Sequence, residues 1–189
     1  LKHATLAPHQ KDSVILTRSR TEILSLMSDF IGNFHSPTKK GLYVYGDFGV
    51  GKSFLLAALA HDLSEKYSVA TTMIHYPSFV VNVKNAIQSG QVKAEIDSVK
   101  KADILILDDI GAEQHSPWVR DDVLQVILQH RMQENLPTFF TSNFSLADLE
   151  KRLSQGKAGD ESWQAKRVME RIRFLAKEVH LEGENRRHE

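Results

Sequence analysis

The stretch that most constrains this chain is YVYGDFGVGKSFLLAAL, residues 43–59. An apolar run leads into Gly46, Asp47, Phe48, Gly49, Val50, Gly51, Lys52 and Ser53, and Phe54 opens an apolar helical run behind them. The form is G-x-x-x-x-G-K-[ST], set between a strand and a helix. Glycines let successive backbone N–H groups turn toward one anion. The helix that follows adds the positive end of its dipole. In that context Lys52 is placed to reach β- and γ-phosphates, and Ser53 to put its hydroxyl on a magnesium ion. A chance match of this length in this context is rare, so Gly46 to Phe54 is read as a nucleotide-binding loop.

A second motif narrows the class. ADILILDD is a continuous apolar run, as a strand buried on both faces requires. It puts Asp108 and Asp109 at the carboxyl end of that strand, where open α/β sheets hold ligands. Asp108 is placed to hold magnesium through water, and Asp109 to orient or deprotonate an attacking water. A whole strand, VATTMIHY, separates the two motifs, and the next strand, PTFFTSN, ends in polar residues. Asn143 there is read as a group sitting between the water and the γ-phosphate. Capping or turn formation is the plainer reading of an asparagine at a strand end.

A third stretch is WQAKRVMERIRFLAKEV, in which Arg167 and Arg171 lie four apart on one helix face and Arg173 on another. A solvated basic face is the default for such a run. The alternative is an arginine that reaches the γ-phosphate held by a neighbouring subunit.

The rest of the chain supplies a frame for these motifs. Ser19–Phe34 reads as an amphipathic helix, with Ile23, Leu26, Met27, Phe30 and Ile31 at helical spacing. Lys52–Lys66 carries Leu55, Leu56, Leu59 and Leu63 inward. Helices are expected over 77–89, 92–101, 145–153 and 162–176, and over the run opened by Ser116-Pro117, which reads as an N-cap and first helical position. SQGKAGDES reads as a flexible loop and EVHLEG as a last strand. Alternating strands and helices from residue 41 onward imply an α/β fold: a P-loop parallel sheet with helices on both faces.

Composition excludes other classes. Lys+Arg and Asp+Glu stand at 24 each, so no global field draws the chain to DNA or an anionic membrane. There is no cysteine, hence no disulfide and no thiolate metal site in this chain. No two of the nine histidines stand three or four apart, which removes a zinc pair on one helix face. No apolar run approaches the roughly 20 residues of a membrane helix. Leu1 is not an initiating methionine, which fits an excised domain.

GDFGVGKS, ILILDDIGAE, TFFTSN and AKRVMERIR, in that order, resemble the AAA+ ATPases of the helicase-loader branch, the bacterial primosomal loaders among them. The resemblance runs from about Gly41 to the end. It implies a cytoplasmic protein using ATP/ADP and Mg2+ to control delivery of the replicative helicase onto single-stranded DNA, with ATP-dependent self-association. By motif position it makes Lys52 and Ser53 Walker A, Asp108 and Asp109 Walker B, and Asn143 sensor 1. It makes Arg171 the arginine finger, with Arg167 as second candidate. It divides the chain into an extension with one helix, residues 1–40, forming the end of a linker, and an AAA+ ATPase domain, residues 41–189. Full-length members carry an N-terminal zinc-binding domain, whose cysteines this chain lacks.

Two departures from that pattern stand out. Many AAA+ proteins have glutamate where Asp109 stands, which implies slow water activation or help from Glu113. The helical lid with its second sensor arginine is largely absent, which implies weak basal hydrolysis. DNA contact is less readable: after the second strand, Phe79 is a candidate for stacking and Lys84 and Lys93 for phosphate contacts. The plainer alternative is that Phe79 is core and the lysines solvated. Rival readings are a transposition-helper ATPase of the same branch, a P-loop small-molecule kinase, and a module that binds nucleotide without chemistry.

Overall fold

A computed structural model describes residues 18–35, 40–156 and 159–183. Five parallel strands form the central sheet: β1 (Gly41–Tyr45), β2 (Thr71–His75), β3 (Ile104–Asp108), β4 (Thr138–Ser142) and β7 (Ala176–His180). Their order is β2-β3-β4-β1-β7. Burial follows this order. The inner strands β1, β3 and β4 are buried nearly throughout, whereas edge strand β2 is half-buried and edge strand β7 is buried only at Ala176 and Val179. ILILD is apolar at four successive positions because helices cover both of its faces.

The helices are α1 (Arg18–Gly32), α2 (Lys52–Tyr67), α3 (Tyr76–Asn85), α4 (Val92–Lys100), α5 (Gln125–Gln133), α6 (Leu146–Leu153) and α7 (Ser162–Leu175). They divide the core in two. On one face, Ile23, Met27 and Phe30 of α1 and Leu55, Leu56, Leu59 and Leu63 of α2 pack on Leu42, Val44, Ile106 and Phe139. On the other, residues of α3 to α7 pack on Tyr43, Leu105, Leu107 and Phe140. α1 thus shares the core of the sheet. Residues 1–17 lie outside the described residues.

Two expectations change. The segment 154–162 is not wholly loop: β5 (Gln155–Gly156) and β6 (Gly159–Asp160) pair antiparallel, with Lys157 and Ala158 outside the described residues. Glu161 N–H donates to Ser154 O at 2.8 Å and closes the base of this hairpin. The helix after Ser116-Pro117 opens as expected, with Ser116 Oγ accepting from Val119 N–H at 3.4 Å. It then widens into a π-helical stretch, Val119–Leu124, before α5 begins. Within that stretch buried Arg120 pairs with Glu161 at 2.8 Å and donates to Leu153 O at 2.8 Å. These contacts join it to the hairpin.

Candidate functional site

The phosphate loop leaves β1 between two fixed points. A Cβ on Gly46 would lie 2.2 Å from the Leu181 carbonyl oxygen, so only glycine allows the chain to pass there. Gly51 has φ of 97° and sits as the cap residue of α2, with no side chain capping the helix. First-turn N–H groups left free of side-chain caps suit an anion. Val50 is buried in the core, while Phe48 and Phe54 are exposed. Among Gly46 to Phe54, backbone amides, Lys52 and Ser53 are therefore the groups positioned for phosphate.

Lys52 is nearly buried, and its Nζ donates to Gly46 O at 2.7 Å, Asp47 O at 2.9 Å and Asn143 Oδ1 at 2.9 Å. The last contact joins the phosphate loop to the end of β4. Ser53 Oγ donates to Asp108 Oδ1 at 2.6 Å, which joins the loop to the end of β3. β4 lies between β3 and β1, with Tyr45 opposite Ser142 and Leu107 opposite Phe140. Lys52, Ser53, Asp108, Asp109 and Asn143 therefore meet at one carboxyl edge of the sheet, as the sequence implied.

Thr141 belongs to this edge and was not singled out by its sequence context. Its hydroxyl donates to Asp108 Oδ1 at 2.7 Å and accepts from Asp109 N–H at 2.8 Å. One buried threonine thus fixes both aspartates. Asp109 has φ of 63°, in the left-handed region that costs a non-glycine residue about 1–3 kcal/mol. The turn carries its carboxylate out of the strand line toward His75, whose Nε2 lies 3.4 Å from Asp109 Oδ2. His75 Nδ1 in turn lies 2.8 Å from Ser78 Oγ. Sequence reading missed His75 because only the parallel register, His75 opposite Asp108, brings it there. Arg20 is a second such residue. A Cβ on Gly51 would sit 3.4 Å from its Nη1, so α1 brings a cation beside the phosphate loop.

Glu113 is buried and accepts from Gly111 N–H at 2.7 Å. Burial pushes its carboxyl above the ordinary carboxylate value, with the amide bonds opposing the shift. It is held within its own turn. Phe79 is 6% exposed and packs with Tyr76, Val80 and Val83 in the core. That agrees with the core reading of Phe79 and removes it as a stacking candidate: α3 turns this ring onto the sheet. Lys84 is half-buried and Lys93 exposed.

Arg171 and Arg167 are not drawn into the carboxyl-edge cluster. Arg171 Nε donates to Gln129 Oε1 at 2.6 Å and its Nη1 to the Arg167 carbonyl at 2.8 Å. Arg167 is exposed beside it.

The donor set fits a magnesium nucleotide. Ser53 and Asp108 give oxygen ligands, and the loop offers amides and a lysine to phosphate. Among the described residues no group of three or more His, Cys, Asp or Glu side chains gathers to hold a metal ion. A cation at Ser53 and Asp108 therefore suits phosphate oxygens as further ligands. No helix among the described residues is long and apolar enough to cross a membrane.

Comparison with known proteins agrees with this geometry. The chain is 45% identical over 172 residues to the replicative helicase loader DnaI of Bacillus subtilis strain 168, covering 90% of this chain and 55% of that protein. It thus spans about half the length of that curated relative. A crystal structure of a putative primosome component from Streptococcus pyogenes serotype M3 superposes with a TM-score of 0.78 at 56% identity, covering 95% of this chain and 88% of that one. A crystal structure of DnaI superposes with a TM-score of 0.82 at 39% identity, covering 94% and 92%. The family model for IstB-like ATP binding proteins matches residues 25–189. With its parallel P-loop sheet, its Walker cluster and this match, the chain belongs to the IstB-like ATP-binding family and has the AAA+ fold.

Proposed function

We propose that this chain is the ATPase domain of a helicase loader. In this reading it binds ATP with Mg2+, and the bound state controls delivery of the replicative helicase onto single-stranded DNA. The observation that carries it is the pair of contacts Lys52–Asn143 and Ser53–Asp108, which unites Walker A, Walker B and the β4 end in one cluster. The 45% identity to a helicase loader favours this over a transposition helper of the same branch. The helicase, single-stranded DNA, further copies of the chain and a cytoplasmic setting belong to the proposal.

Each residue then has a task. Lys52 and the loop amides hold phosphate oxygens, and Ser53 with Asp108 holds the cation. When bound, Mg2+ would neutralise charge on the phosphates. Asp109, held by Thr141 and His75, orients and deprotonates the attacking water. It takes this part rather than Glu113, whose carboxyl accepts from Gly111. Asp is one methylene shorter than the common Glu, so turnover is slow and switching by the bound state dominates. Asn143, bonded to Lys52, is the group that senses which nucleotide is present. Arg171, with Arg167 beside it, supplies charge to the nucleotide of a neighbouring copy. Lys84 and Lys93 are the candidate phosphate contacts to DNA.

The test follows phosphate release and sedimentation together, with ATP, with and without a single-stranded oligonucleotide. Turnover or assembly should rise with DNA and collapse in Lys52→Ala and Arg171→Ala. DNA-insensitive turnover that Arg171→Ala leaves intact would sink the reading.

A further inference from the structure

Arg171 lies in a groove of about 500 Å3 between α4, α5 and α7, lined by Lys100, Gln125, Gln129, His130, Arg167 and Arg171. Its side chain is 15% exposed, whereas neighbouring Glu170 is 82% exposed. The guanidinium is held by two hydrogen bonds, and the exposed Glu170 carboxylate lies 3.9 Å from Nη1. Gln129 Oε1 takes Nε–H at 2.6 Å, and the Arg167 carbonyl, one turn earlier on α7, takes Nη1–H at 2.8 Å. Among the described residues Nη2 makes no hydrogen bond. An arginine fixed at Nε and Nη1 with its Nη2 edge free is oriented for an anion from outside the chain. Its planar fork loses little further freedom on binding.

We infer that Gln129 is a positioning residue for Arg171. This rests on the reading of Arg171 as the arginine offered to a neighbouring copy's nucleotide, and it adds what aims that arginine. A neutral amide suits the task. It accepts from the guanidinium without cancelling its charge, whereas a carboxylate partner would form a closed ion pair. The acceptor is also on a different helix from the arginine, and α5 and α7 bury Ile127, Leu128, Val168 and Ile172 in the same core. Packing therefore fixes the acceptor's place. On the opposite face of the sheet, α2 and the phosphate loop expose Phe54 and Phe48. The braced arginine and the phosphate loop thus lie on different patches of the surface.

A mixing experiment tests this with ATP, Mg2+ and a single-stranded oligonucleotide present. Lys52→Ala offers Arg171 but holds nucleotide poorly, and Arg171→Ala holds nucleotide but offers no arginine. Each is slow alone, and their mixture should regain turnover. Gln129→Leu is then added to one partner at a time. On the arginine-offering partner it should lower kcat about tenfold with KM unchanged, as expected of a misaimed group. On the nucleotide-holding partner it should change nothing, which also shows that the variant folds. Gln129→Glu on the arginine-offering partner sets a carboxylate on the guanidinium and should lose the rescue as Gln129→Leu does. Equal effects on either partner, or none on either, would overturn the positioning role while the rescued mixture upholds the finger. A mixture that never regains turnover would overturn both.

Discussion

Two regions carry groups aimed at phosphate, and they are finished to different degrees within one chain. At the carboxyl edge of the sheet, Lys52 touches Asn143, Ser53 touches Asp108, and Thr141 ties both aspartates. Each contact spans elements far apart in sequence, and buried central strands fix them. On the α5–α7 face, Arg171 is braced by Gln129 and a carbonyl of its own helix, with the exposed Glu170 carboxylate 3.9 Å from Nη1 and no hydrogen bond at Nη2 among the described residues. The first region is complete in itself. The second is an oriented charge waiting for an anion. Under the proposed function, a chain built this way would bind nucleotide alone and turn it over best in company.

The sharpest test of that contrast is nucleotide affinity of the isolated chain. Lys52→Ala should weaken it at least about 100-fold, because the charge that meets β- and γ-phosphates is lost. Arg171→Ala should leave it nearly unchanged, as read by titration with a fluorescent ATP analogue. A large loss from Arg171→Ala in the monomer would erase the distinction. Thr141→Val comes next. It keeps the volume, removes an acceptor from Asp109 N–H and a donor to Asp108, and should cost about 1–2 kcal/mol in denaturant melts. Turnover should fall about tenfold with it, since both aspartates lose their tether.

His75→Ala should lower kcat only about threefold and leave affinity alone, because an exposed partner 3.4 Å from Asp109 orients it weakly. The smallest effect is expected at Glu113. Burial raises its folded pKa, so the folded state holds the proton more tightly. The stability it contributes is full below the ordinary carboxylate value and is lost as pH rises through the folded one. Glu113→Gln keeps an acceptor for Gly111 and should flatten that decline in thermal melts across the acid range. Turnover at neutral pH should not change. A deep loss of turnover would return Glu113 to the water-activating role.

The two regions also differ in how much of them the sequence disclosed. Lys52, Ser53 and Asp108 were legible because loop and strand-end chemistry is local: glycine spacing and an apolar run ending in aspartate carry it. Arg171 was legible as a residue type at helical spacing from Arg167, but not its partner Gln129, which lies on another helix. Phe79 was a candidate DNA contact only by its place after the second strand, while its own helix carries Tyr76, Phe79, Val80 and Val83 at inward helical spacing. Burial against the sheet decided that. The short hairpin at 155–160 was read as loop because two-residue strands leave no periodicity.

By itself, then, the sequence determined the parallel α/β class, the phosphate loop and the acidic strand end, because each depends on residues adjacent along the chain. Strand order was decided only in three dimensions. Chain order runs β1, β2, β3, β4, yet β4 inserts between β3 and β1. That insertion is what sets Asn143 against Lys52 and Thr141 against Asp108 and Asp109. The register of β2 on β3 likewise sets His75 beside Asp109. Such contacts follow from packing two buried faces of one sheet at once, which no local pattern encodes.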